Sequence, residues 1–340
     1  MAKLPGFRSP TVDAIYRLYE ERQSPRLGRR HLGASLIGKE CTRYLWYVFR
    51  WCVTPDWSGR MLRLFDTGER EEARIVRELR AIGIEVHNAD PRRAGRQYEY
   101  YTLGDHFGGS LDGVARGFLE APKSWAVCEM KTHNDKSFKA LREKGVKVAK
   151  PEHHAQMQVY MALAKLKRAA YIAVSKATDF IHFEWIRFDK KEWERLRAKA
   201  ERVLRATEPL TRYSDDPFGI PCGWCPAKDV CHEGAVPPVS CRTCVHSTPI
   251  VDGDGPGLWR CERKGRYISA KDQERACDEH LFIPALVPFA KPVEAGDGYV
   301  LYQLRKKNGG RFANVGATGF VGEDVDQLDS ATLRALGESN

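Results

Sequence analysis

The sequence predicts a mixed α/β core followed by a cysteine-rich region that depends on metal for its fold. Three observations predict it. Helical periodicity flanks a glycine-punctuated stretch of strand pattern between Tyr98 and Lys131. Two further strand patterns, at residues 169–175 and 180–188, lie between a helical segment at 151–166 and a charged one at 189–207. This order sets helices against a mixed central sheet. Seven of the ten cysteines then fall between positions 222 and 277, among prolines and glycines.

With 340 residues the chain has room for one large domain plus appended modules. Its 42% hydrophobic and 29% charged residues are those of an ordered, soluble protein rather than a disordered one. The net charge of +10 suits a polyanionic partner, nucleic acid being the simplest. Met1–Pro10 lacks the apolar core of a signal peptide, and no long apolar run follows, so the expected location is cytoplasmic, with no membrane partner. In that reducing compartment ten cysteines point to metal rather than disulfides.

Taken in order, Ser9-Pro10 reads as a helix start, with Val12, Ile15, Tyr16 and Tyr19 as its apolar face. A second helix is expected from Ser35, striped by Ile37, Cys41, Tyr44, Leu45, Val48 and Cys52. A third covers residues 66–82 and stops at Gly83. Gly104, Gly108, Gly109, Gly113 and Gly117 are expected to break the strands that follow. The second strand pair turns at Lys176 to Asp179. In the tail after Leu286, a hairpin from Tyr299 to Val315 turns at Asn308-Gly309-Gly310, and a short helix lies near Ser330 to Leu336. No internal repeat is present. The expected organisation is a helical region at 1–65, a core at 66–220, a first cysteine segment at 221–235, a second cysteine module at 238–285, and a tail at 286–340.

The segment Trp125-Ala-Val-Cys-Glu-Met-Lys131 is a short apolar strand ending in charge. Strand alternation puts Glu129 and Lys131 on one face. By itself this is as good a surface ion pair as a site. Gly108-Gly-Ser-Leu-Asp112-Gly113 sets an acid before it, either as an Asp-Gly turn or, by hairpin pairing, beside Glu129. Glu72 stands in the middle of an apolar helix face with Phe65, Ile75, Val76 and Leu79, where a carboxylate calls for a cation. Gln156 precedes Tyr160 by one turn on another apolar face.

In chain order, Gly68-Glu-Arg-Glu-Glu72, Leu111-Asp112-Gly113, Glu129-Met-Lys131 and Gln156-Met-Gln-Val-Tyr160 resemble the four motifs of the PD-(D/E)XK nuclease superfamily. The likeness is to its RecB-like and lambda-exonuclease-like branch, over residues 30–235. Asn134-Asp-Lys-Ser-Phe138 and Pro151-Glu-His-His-Ala-Gln156 look most like phage-encoded exonucleases. The resemblance implies a restriction-endonuclease-like core and hydrolysis of DNA phosphodiester bonds with Mg²⁺ or Mn²⁺, an exonuclease rather than an endonuclease. It implies that Asp112, Glu129 and the Met130 carbonyl hold one ion and that Glu72 serves a second or its water. Lys131 would orient and help deprotonate the attacking water; Gln156 would orient Lys131 or a phosphate, and Tyr160 completes the helix motif.

Cys222, Cys225 and Cys231 are one ligand short of a closed site. Cys41, in Gly33-Ala-Ser-Leu-Ile-Gly-Lys-Glu-Cys41, is the candidate fourth, the alternative being a core thiol. One early cysteine, a nuclease core and three late cysteines resemble the 4Fe-4S nucleases of the RecB branch. Cys241, Cys244, Cys261 and Cys277 suit a structural zinc, with His246 and His280 as substitute ligands and iron as the alternative metal. Cys52 and Cys128 read as core residues. The functional expectation is a DNA exonuclease of phage recombination or DNA processing, working with a single-strand annealing or recombination protein. The alternatives are a non-catalytic DNA-binding protein on a nuclease-like fold and an iron–sulfur redox protein, the latter without any nucleotide-binding glycine motif.

Overall fold

The order of elements follows from caps and periodicity. The Ser9 side chain caps α1 (Pro10–Glu21), which is followed by β1 (Leu32–Gly33), α2 (Thr42–Phe49) and α3 (Gly59–Ala81). Next come β2 (Glu85–His87), β3 (Glu99–Thr102), β4 (Phe107–Ser110), β5 (Gly113–Arg116) and β6 (Ala126–His133). Two helices, α4 (Asp135–Ala149) and α5 (Pro151–Leu163), lead to β7 (Arg168–Ser175), β8 (Ile181–Arg187) and α6 (Lys190–Arg205). The remainder is β9 (Ser247–Pro249), β10 (Trp259–Cys261), β11 (Arg266–Ile268), α7 (Ala270–Arg275), β12 (Ala290–Gly296), β13 (Tyr299–Leu304), β14 (Arg311–Asn314) and β15 (Phe320–Val321). The computed structural model describes residues 9–23, 28–54, 56–253, 255–305, 309–316 and 320–321. The helix expected near Ser330 and Asn308 of the hairpin tip lie outside them. None of the described helices is long and apolar enough to cross a membrane.

Two local expectations are corrected, and one helix lies where the sequence pattern gave none. The second helix starts at Thr42, not Ser35: residues 34–38 form a turn, and Cys41 is the N-cap, its sulfur accepting from the Tyr44 amide at 3.4 Å. Ile37 and Leu45 are both fully buried, so the apolar stripe continues across the break and periodicity alone does not reveal it. Gly108 and Gly109 lie inside β4 and Gly113 opens β5, rather than breaking strands. Gly108, with φ +149°, backs onto β3, where a Cβ would run into the Tyr100 carbonyl. Finally, α4 occupies a stretch with no sustained apolar stripe. Its buried Phe138 and Leu141 are followed by a kink at Gly145 (φ 69°), which resets the phase before Val146.

The chain divides into two units. The described residues of 1–26, 55–99 and 110–189 form the first, around a five-stranded sheet in the order β2-β5-β6-β7-β8. Only β6 and β7 run parallel, and α4 and α5 make their crossover. On one face Cys128 and Met130 of β6 and Ile172 and Val174 of β7 pack with Ile75 and Val76 of α3. Alternation turns Val127, Glu129 and Lys131 to the opposite face. There the crossover returns α5, buried without interruption from His154 to Met161.

The second unit comprises the described residues of 27–54, 100–109 and 190–340. Its sheets are small: β1-β4-β3, β11-β10-β9 and β12-β13-β14-β15. Two buried arginines join its parts. Arg242 lies 3.9 Å over the Trp51 ring and 4.8 Å over Trp259, and it donates to the Phe49 and Arg30 carbonyls at 2.9 and 2.8 Å and to Gln273 Oε1 at 3.0 Å. Arg50 in turn donates to the Arg242 and Ser247 carbonyls at 3.2 and 3.0 Å. Burial holds both guanidinium pKa values below the ordinary range. Arg242→Met retains much of the apolar volume but strands the Phe49 and Arg30 carbonyls, and the expected loss is about 3 kcal/mol. Urea unfolding of the full chain measures it, and a midpoint equal to that of the wild type would show the arginine to be dispensable.

Candidate active site

Antiparallel pairing sets Gly113 opposite Cys128, which brings Asp112, just ahead of β5, beside the end of β6. Asp112 Oδ2 accepts from the Met130 amide at 2.8 Å and from Lys131 Nζ at 3.2 Å. Lys131 Nζ also donates to the Met130 carbonyl at 3.0 Å and lies 2.5 Å from Glu129 Oε1. The ammonium therefore sits between the two carboxylates. Glu129 is 0% exposed, and among the described residues its Oε2 has no polar partner. From α3, Glu72 reaches the same charges: Gln97 Nε2 donates to its Oε1 at 3.1 Å, and Asp112 and Lys131 act on it electrostatically.

Burial raises the pKa of Glu129, and the adjacent Lys131 opposes this. At Lys131 burial favours the neutral amine, but Asp112 and Glu129 outweigh it and hold the proton on Nζ more firmly than usual. Burial, followed by the Asp112 charge, pushes Glu72 up to about 7. The donor set of buried carboxylates, a peptide carbonyl and an orphaned Oε2 fits a hard divalent cation. No three His, Cys, Asp or Glu side chains among the described residues stand close enough to hold an ion as they are. Lys131 lies where the two acids converge.

On α5, Gln156 is buried (7% exposed) and makes no hydrogen bond to Lys131 among the described residues. The Tyr160 hydroxyl donates to the Ser110 carbonyl, two residues before Asp112. It thus tethers the chain that delivers the acid. Sequence reasoning misses three supports. Gln158, the middle glutamine of the helix motif, donates to the Arg187 carbonyl at 2.9 Å and accepts from the Asp189 amide at 2.8 Å. Gln97 holds Glu72. The Tyr171 hydroxyl bridges His133 Nε2 at 2.9 Å and His153 Nδ1 at 2.8 Å. Tyr171 pairs in register with Glu129, and burial pushes His133 down to about 4 and His153 to about 3, so both rings stay neutral. The available signal was the period of two continuing past Lys131 to His133.

The thiols fall into two sets, both in the second unit. Burial raises Cys222, and the neighbouring Cys41 and Cys231 raise it further. Cys225 is raised in the same way by burial and then by Cys41, Cys231 and Cys222. Cys41 thus lies within electrostatic reach of thiols far along the chain. Cys241, Cys244, Cys261 and Cys277 line one cavity. Cys52 and Cys128 are buried core thiols.

Glu72 allows a test by pH. A carboxyl whose folded pKa is about 7 against an ordinary 4.5 contributes stability below pH 4.5 that is lost as pH rises through 7. In metal-free protein, Glu72→Gln should therefore raise the melting temperature at pH 8 and change it little at pH 5. An equal shift at both pH values would place Glu72 in solvent.

The PD-(D/E)XK nuclease superfamily matches the chain over residues 17–232. No curated protein matches it. Among solved structures, SSO0001 is 14% identical with a TM-score of 0.39, over 66% of this chain and 98% of the other. An alkaline exonuclease from Laribacter hongkongensis is 15% identical with a TM-score of 0.37, over 52% of this chain and 86% of its own. The same exonuclease in complex with dAMP gives 16% and 0.35 over the same shares. With its mixed sheet, its Asp112, Glu129 and Lys131 on adjoining strands and a family match over more than half its length, the chain belongs to the PD-(D/E)XK nuclease superfamily.

Proposed function

We propose that the protein is a divalent-metal-dependent DNA exonuclease with Asp112, Glu129 and the Met130 carbonyl as ligands of Mg²⁺ or Mn²⁺. The observation that carries this reading is the buried Glu129 carboxylate, whose Oε2 lacks a partner, beside Asp112 and Lys131. The bound ion supplies positive charge to the scissile phosphate. Lys131 keeps its proton between two acids, so it serves as a fixed charge and donor that orients the attacking water and the phosphate. Glu72, held by Gln97, adds a third carboxylate for a second ion. Neutral His133 and His153 fix Tyr171 beside this centre without adding charge to it. Exonuclease action, and a role in phage recombination or DNA processing, are supported by the motif from Gln156 to Tyr160 and by the phage-like stretch around it.

The likeness to RecB-branch nucleases and the electrostatic neighbourhood of Cys41, Cys222, Cys225 and Cys231 support a 4Fe-4S cluster on those four thiols.

Lys131→Ala should lower cleavage of end-labelled linear DNA about 10²- to 10⁴-fold with DNA binding retained. Because it also leaves Glu129 uncompensated, Asp112→Asn and circular dichroism accompany it. Wild-type cutting by folded variants, or cutting in the presence of chelator, would remove the assignment. Closed circular DNA should resist the wild-type enzyme; its degradation would make the enzyme an endonuclease.

Cys41→Ala should bleach the brown colour of anaerobically purified protein, while Cys52→Ala keeps it. A full iron complement in folded Cys41→Ala would exclude Cys41 as the fourth ligand.

A further inference from the structure

The second thiol set lies apart in sequence from everything the nuclease chemistry uses. Cys241 and Cys244 open and close a single 3-10 turn, in which the Cys244 amide donates to the Cys241 carbonyl at 3.2 Å. Cys261 ends β10, and Cys277 follows α7 after Ala276, which has φ +57°. These elements converge on a cavity of about 20 Å³ lined by the four cysteines together with His246 and His280; as they stand no three of these side chains are close enough to hold an ion, so the thiols would have to draw together around one. A space of that size takes one atom-sized guest. Arg263 and Lys264 both pair with Glu279 at 3.2 and 3.1 Å, and Arg263 also pairs with Asp297 at 2.7 Å, so the two cations at the rim are matched by two carboxylates.

The segment also needs such a guest. The three-stranded sheet β11-β10-β9 has strands of three residues each. Among its own side chains, few large apolar groups beyond Trp259 and Ile268 are buried. The buried apolar cluster of the second unit takes in Leu281 and Phe282 but none of these three strands, and a tetrathiolate metal site would contribute folding energy directly there.

We infer that Cys241, Cys244, Cys261 and Cys277 bind a single structural Zn²⁺ through four thiolates. Each thiol loses its proton to solvent as its Zn–S bond forms, with no change of oxidation state. The site is independent of the nuclease reading, because its readout is metal content rather than cleavage.

The test uses the full chain carrying Cys225→Ser, which disables the other thiol set. Elemental analysis of the purified protein should give about one zinc per chain. After removal of zinc, titration with Co²⁺ should give sulfur-to-cobalt charge-transfer bands at one equivalent that added Zn²⁺ erases. Cys261→Ser should lose both the zinc and the bands. Should Cys261→Ser fail to fold, Cys261→His, which keeps a zinc ligand, should fold and retain about one zinc. The proposal is overturned by a folded Cys261→Ser with full zinc, by a folded zinc-free wild type, by iron in place of zinc, or by a disulfide among the four cysteines in mass spectra of anaerobically purified protein.

Discussion

A carboxylate at Glu129, shut away from water, sets the terms for the residues around it. An isolated charge in such a place costs several kcal/mol, so every neighbour answers either the charge or the dryness. Lys131 answers the charge at 2.5 Å. Asp112 answers Lys131 and, through the Met130 amide, locks β5 to β6. The dryness comes from α5, buried from His154 to Met161, and from Tyr171, whose hydroxyl is fully occupied by two neutral histidines. A charged histidine here would add a second cation beside Lys131 in the same dry pocket.

The second unit meets the same difficulty with the opposite sign. Arg50 and Arg242 are buried cations without a carboxylate partner among their hydrogen bonds. Their charge is spread over backbone carbonyls and the faces of Trp46, Trp51 and Trp259. Arg242 sits between Cys241 and Cys244, so one short turn contributes both to this aromatic cage and to the thiol cavity.

The strand of the candidate site was legible because a two-residue period needs no tertiary knowledge: Glu129 and Lys131 share a face in any strand. Asp112 was legible as a partner because hairpin pairing is local. What lay outside the sequence patterns depends on contacts between distant segments. The cap at Cys41 could not be separated from a helix interior, since Ile37 and Leu45 are buried on either side of the turn. Gly108 reads as a strand breaker until β3 is placed behind it. Gln97 and Tyr171 carry no motif, and Gln158 stands inside one without its role being marked; each matters only because folding sets an otherwise unsatisfied polar group beside it. Helix α4 was hidden by its own kink at Gly145.

The burial of Glu129 also constrains how a lineage carrying this site could lose its activity. On the proposed reading of the site, a neutral residue at position 131 removes a catalytic charge and, by leaving an uncompensated acid in the interior, weakens the fold in the same step. A neutral residue at position 129 instead removes the charge that is hardest to accommodate, and Lys131 keeps Asp112 as its counter-ion. Inactive descendants that persist as folded proteins should therefore have lost the glutamate before the lysine. The order of decay is written into the dielectric of the site rather than into its chemistry.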